Sequence, residues 1–161
     1  MPHTTASSRA AGIIIHDNQL LVIYRKKNGS QYYTFPGGTV EHCESTEGCA
    51  LREIAEETSI HVEIQRLMYQ VEIHHDATTK IEYFYLAQYI SGTPKLQSSS
   101  IETSRSSNSN IYRPMWMPLE KLADIPLFPI EIRNKLIHDL TNGFDKETYF
   151  LKLNKADMKN S

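Results

Sequence analysis

The sequence is short of several things, and each shortage removes a class of protein. Only two cysteines occur, Cys43 and Cys49. They form no CxxC pair and have no second cluster to complete a zinc site, and such sparse use suits a reducing cytoplasm, the expected location. Long apolar runs are missing as well: the longest, residues 12–15 and 20–24, fall far short of a bilayer span. The opening stretch, MPHTTASSRA, is polar and lacks the apolar core of a secretory signal, so neither secretion nor membrane insertion is expected. Charge of one sign is also lacking. With 17 basic and 19 acidic residues the formal net charge is −2, which gives no basic field to hold a long nucleic acid by counterion release.

What is present points to one folded domain. A chain of 161 residues with 40% hydrophobic content fills one core, so residues 1–161 are expected to form a single domain, with polar residues 1–8 and the tail 154–161 mobile. Segments 10–16 and 19–26 are β-branched and apolar, and the Asp17-Asn18 pair between them tolerates the left-handed turn of a hairpin. Residues 31–35 (QYYTF) read as a strand closed by Pro36, Gly37 and Gly38, a flexible loop in which glycine permits close backbone approach by a ligand. The period changes at 46–58 to that of a helix, with Cys49, Ala50, Leu51 and Ile54 as its apolar stripe and Ser45 or Thr46 as N-cap. Strands are expected at 60–73 and 80–90 around a polar turn at 74–79, and again at 111–119. Residues 97–110 (QSSSIETSRSSNSN) have the composition of a surface loop. A second helix is expected at 129–140, with Pro129 at its start, Ile132, Leu136, Ile137 and Leu140 inward, and Gly143 beyond. There is no internal repeat. The fold class is α/β, a mixed β-sheet core sandwiched between α-helices.

The chemistry concentrates in the first helix. Glu53, Glu56 and Glu57 stand at i, i+3 and i+4, which places three carboxylates on one helix face. Each like-charged pair costs roughly 0.2–0.5 kcal/mol on an isolated helix, and burial raises that cost. A divalent cation reverses the sign. Oxygen donors without cysteine or histidine select a hard ion, Mg²⁺ or Mn²⁺, whose natural partner is a phosphate oxygen. Arg52 lies four residues before Glu56, and Glu44 comes from the loop entering the helix, so the guanidinium is expected to hold these carboxylates in register.

The run GTVEHCESTEGCALREIAEETSI, read from Gly38, resembles the Nudix box, Gx5Ex7REUxEExGU with U a bulky aliphatic residue. Gly38, Glu44, Arg52, Glu53, Ile54, Glu56, Glu57 and Ile60 all match. Ser59 departs, standing where the pattern has its second glycine, and a serine held at positive φ there costs about 1 kcal/mol or more. The FPGG run, the upstream hairpin ending in Arg25 and the later strand and helix also look like a Nudix domain.

The resemblance implies hydrolysis of a nucleoside diphosphate linked to another moiety. It implies that Glu53, Glu56 and Glu57 bind Mg²⁺, with Glu102 of the serine-rich segment as a further ligand or base and Glu53 as first choice for the group that takes the proton of the attacking water. A backbone carbonyl of Gly37 or Gly38 is a further ligand candidate, Glu41 another when substrate is bound, and Arg25 a phosphate contact. Two subgroup signatures are absent: an SQPWPxPxS-like run, and a proline after the box associated with ADP-ribose hydrolysis. By elimination a nucleoside triphosphate pyrophosphohydrolase is favoured. The expected partners are a small nucleotide and, at most, a second copy of the chain in a homodimer. The competing reading is a catalytically silent module that binds a nucleotide or sugar nucleotide as a sensor. Plainer readings exist for the remaining motifs: a solvated turn for His74-His75-Asp76, and core packing for most of the aromatic residues.

Overall fold

The computed structural model describes residues 5–96 and 110–158. The opening hairpin joins β1 (Thr5–His16) to β2 (Gln19–Lys27) through Asp17 and Asn18, whose φ angles of 49° and 58° are the positive pair that a two-residue turn requires. β3 (Ser30–Thr34) folds back on β2. The expected flexible loop at Gly37-Gly38 is instead a short strand, β4 (Gly37–Thr39), paired antiparallel with β1. Its glycines serve backbone packing: a Cβ on Gly37 would run into the Ala10 carbonyl and Ala11.

After α1 (Thr46–Thr58) come β5 (His61–His75) and β6 (Thr78–Ser91). Their register carries His75 opposite Thr78, so the turn is tighter than the expected 74–79, with Asp76 at φ 52°. β7 (Asn110–Pro118) lies antiparallel along the whole of β2. A 3-10 turn (Leu119–Asp124), β8 (Leu127–Phe128) and α2 (Ile130–Asn142) follow. The chain closes with β9 (Tyr149–Asn154), parallel to β5, and a 3-10 turn (Lys155–Asp157).

From Thr5 onward β1 pairs in parallel with β6, and most of the tail through Met158 continues from β9 as regular structure. Pairing runs β8-β3-β2-β1-β6-β5-β9, with β4 on β1 and β7 on β2. Because β1 meets β2 only near the hairpin turn, the two halves of the sheet separate beyond it.

Alternation along β1 then decides which face each helix covers. Ala10 and Ile14 pack with Cys49, Ala50 and Ile54 of α1, whereas Ala11 and Ile13 pack with Ile132 and Leu136 of α2. Helices cover both faces, as the sequence predicts, and burying a residue such as Ile54 contributes roughly 1.5–3 kcal/mol. Leu51 is 45% exposed, so the buried stripe of α1 is narrower than expected. Among the described residues no helix is long and apolar enough to cross a membrane.

Candidate active site

Two caps set the position of α1. At its start the Ser45 hydroxyl accepts the Gly48 N–H at 2.9 Å, which identifies Ser45 as the N-cap. At its end Ser59 takes the left-handed conformation (φ 60°, ψ 16°) that the family pattern assigns to glycine. The serine has a compensating contact: its hydroxyl donates to the Lys95 carbonyl at 2.7 Å, and the Lys95 N–H returns a bond to the Thr58 carbonyl at 2.9 Å. The helix exit is thereby tied to the segment that follows β6.

Arg52 is the hub of the acidic face. Its Nε and Nη2 donate to the two oxygens of Glu44 at 2.7 and 2.9 Å, a bidentate fork. Nη1 donates to Glu53 Oε1 at 2.9 Å and to Glu56 Oε2 at 3.3 Å, and Nη2 also reaches the Thr39 carbonyl at 3.3 Å. Glu41 stands 3.8 Å away, and its N–H donates to Glu44 at 3.1 Å. These bonds, the Arg52 fork first and the Glu41 N–H next, hold the Glu44 carboxyl down to about 2. The Arg52 guanidinium is raised in turn, chiefly by its bonds to Glu44.

Burial separates the three helical acids. Glu53 and Glu57 are buried, at 7% and 5% exposure, whereas the Glu56 side chain is 38% exposed. The conformation at Gly38 belongs to this arrangement, because a Cβ there would overlap the Glu53 carboxylate. Cys49 closes the underside: its thiol donates to the Gly38 and Thr39 carbonyls at 3.4 and 3.5 Å, and burial, then the Glu44 charge, push it up to about 11.

Glu44, Arg52, Glu53 and Glu56 thus form one network, with Gly38 against it. Among the described residues no three His, Cys, Asp or Glu side chains converge tightly enough to enclose a metal ion. Nη1 of Arg52 bonds to both Glu53 and Glu56, holding a positive charge between them. The donor chemistry nevertheless fits a hard divalent ion, since the face offers carboxylate oxygen alone and places two of its acids out of bulk water.

Other predicted residues lie elsewhere. Arg25 sits between rings, its guanidinium carbon 3.7 Å from the Tyr112 centroid and 5.5 Å from that of Tyr32. Counting by twos from Leu21, which packs with Ile54, places Arg25 on the α1 face of β2. Glu102 falls outside the described residues. His74 and His75 lie at the end of β5, opposite Thr79 and Thr78, so of the expected turn at 74–76 only Asp76 is in the turn itself; His74 is partly exposed, with Nε2 2.7 Å from Glu72 Oε1.

Sequence reasoning missed a cavity of about 630 Å³ on the opposite face of the sheet. Its lining includes Arg9, Phe35, Lys80, Glu82, Phe84 and Glu131. The available signal was Lys80 and Glu82 two apart on one strand face, polar residues where alternation calls for core.

The fold and the hub together define a protein of the Nudix class, and the chain matches the NUDIX domain over residues 6–139. It belongs to that family. An ADP-ribose pyrophosphatase of Methanocaldococcus jannaschii is 41% identical over 58 residues, an alignment that covers 35% of this chain and only 34% of the relative. A MutT NUDIX hydrolase from Burkholderia pseudomallei superposes with a TM-score of 0.60 at 25% identity, over 81% of this chain and 97% of that one. A NUDIX hydrolase from Nitrosomonas europaea shares the fold with a TM-score of 0.67 at 19% identity, over 90% and 93% of the two chains.

Proposed function

We propose that this chain is a Mg²⁺-dependent hydrolase of the phosphoanhydride bond in a nucleoside diphosphate linked to another group, with nucleoside triphosphates as favoured substrates. One observation carries the reading: a single guanidinium, Arg52, serves the carboxylates of Glu44, Glu53 and Glu56 in the box of a family that uses divalent metals. Carboxylate oxygens gathered in this way suit a hard divalent cation.

Glu53, Glu56 and Glu57 would hold the ion, with Mn²⁺ as a substitute for Mg²⁺. When bound, the ion supplies neutralisation of the phosphoryl oxygens and acidifies water. The chain's own residues do the rest. The Glu44 fork fixes the Arg52 plane, and Arg52 orients Glu53 and Glu56. Glu53 takes the proton of the attacking water, with Glu102 as the alternative base. Arg25, on the same face, meets the phosphate chain. Cys43 and Cys49 are both free thiols, which suits a reducing cytoplasm.

The similarity to an ADP-ribose pyrophosphatase favours a second reading, ADP-ribose hydrolysis, although it spans a third of that relative. A panel over nucleoside triphosphates and ADP-ribose, run with Mg²⁺ and with EDTA and read by chromatography of the products, a nucleoside monophosphate with pyrophosphate against AMP with ribose 5-phosphate, decides between them. Turnover that needs Mg²⁺ and disappears in Glu57→Gln supports the hydrolase. Nucleotide binding without turnover in the parent protein replaces it with the sensor.

A further inference from the structure

The hydrolytic step leaves the 630 Å³ cavity without a role. Its wall sets apolar surface, including the buried Phe35 and Phe84, beside charged groups, among them a buried acid. Glu82 is 6% exposed, and the Lys80 ammonium lies 2.6 Å from its Oε1. Arg9, beside Glu82 in the β1–β6 register, donates to the Phe35 carbonyl at 3.1 Å. A carboxylate buried at an apolar wall is costly unless a partner uses it, and convergent polar groups in an apolar concavity are what orient a small ligand. Lys80 and Glu82 thus enter the cavity wall as an ion pair, a donor beside an acceptor.

The cavity and the acids of α1 lie on opposite faces of the sheet and are linked at its edge. β4 forms the edge of this half of the sheet, pairing with β1 alone among the described strands. Its exposed Thr39 pairs with Arg9 of the cavity wall, and the Thr39 carbonyl accepts from Arg52 of the hub. A nucleotide that joined the two would pass its phosphate chain around Thr39 rather than through the sheet.

Resting on the hydrolase reading above, we infer that this cavity receives the base of the substrate and that Glu82, assisted by Lys80, selects guanine. Guanine places two adjacent donors, N1–H and the exocyclic amino group, where one carboxylate accepts both, and sets O6 beside them as an acceptor for the ammonium. Uracil and thymine flank their single N–H with carbonyl oxygens, which a carboxylate repels. Adenine and cytosine each set a ring acceptor beside the amino group. A site built to satisfy particular donors rejects bases that lack them, because its buried polar groups are then left unmatched.

The test is calorimetric titration of GMP, AMP, CMP and UMP into the full chain in EDTA, which separates base binding from turnover. GMP is expected to bind about tenfold or more tightly than each of the others. Glu82→Gln should remove that preference, Lys80→Gln should weaken GMP several-fold, and Glu57→Gln should keep the preference. Equal binding of the four, or a preference that survives Glu82→Gln, overturns the inference. Should Glu82→Gln fail to fold, the parent ranking and Lys80→Gln decide it. A guanine preference without any nucleotide turnover sinks the hydrolase reading alone. Turnover with no guanine preference sinks the pocket assignment alone.

Discussion

The two α-helices among the described residues are alike in length and differ in arithmetic. Each has 13 residues, each packs an apolar stripe on one face of the sheet, and each carries buried carboxylate. On α2, Asp139 is fully matched: Oδ1 accepts from Lys135 at 2.8 Å and lies 3.2 Å from His138, while Oδ2 accepts the Tyr69 hydroxyl at 2.7 Å. On α1, one guanidinium is divided among Glu44, Glu53 and Glu56, and Glu57 is buried one residue further on. The same device, a buried acid beside a base, fastens a helix where charges balance. On α1 the same device gathers several acids around one base, among them the Glu53 and Glu56 that the proposed function gives to an ion, so the pattern of sharing distinguishes fastening from the proposed chemistry.

Neutralising one acid on each helix should pull these roles apart. The largest effect is expected for Glu57→Gln, with turnover falling on the order of 10²-fold or more while the protein stays folded, read by chromatography of the products and circular dichroism. Next comes Arg52→Lys, which keeps the charge and loses the fork; activity should drop about 10- to 100-fold, and a variant with parental kcat/KM would remove Arg52 from the mechanism. Asp139→Asn should do the reverse, costing about 1–3 kcal/mol in urea unfolding and leaving kcat near the parent value.

Acid should expose the same contrast. Both Glu44 and Asp139 are held below their ordinary range; at Asp139, burial pushes upward but the Lys135, Tyr69 and His138 bonds outweigh it. A carboxyl depressed by folding stabilises the native state above its unfolded value and loses that contribution as pH falls through the folded one. The Glu44 contribution is thus complete above pH 4.5 and fades toward about 2, so Glu44→Gln should flatten the acid limb of a melting-temperature profile. The smallest effects belong to the helix ends, where α1 stops at Ser59 and α2 at Gly143 (φ 93°). Ser59→Ala should cost about 1 kcal/mol, from a lost hydroxyl bond with no relief of the left-handed backbone, and Ser59→Gly less, because glycine regains in conformation what it loses in bonding.

Local signals made much of this legible. Asp17-Asn18 marked the hairpin, Ser45 the start of α1, and the spacing from Gly38 to Ile60 gathered Glu44, Arg52, Glu53 and Glu56 before any coordinates. What escaped depends on partners distant in sequence. β9 is six residues of modest β character that become a strand only beside β5, some eighty residues earlier. Gly37 and Gly38 read as a ligand loop because the strand and the carboxylate they accommodate come from Ala10–Ala11 and Glu53. The cavity is assembled from β1, β6 and the start of α2, which no local window can bring together.

The two thiols carry a consequence of their own. Cys43 is exposed, whereas Cys49 is sealed between α1 and β4. An alkylating reagent should modify the first at once and the second only when the helix lifts away, so the delay between them clocks that opening from within the native chain.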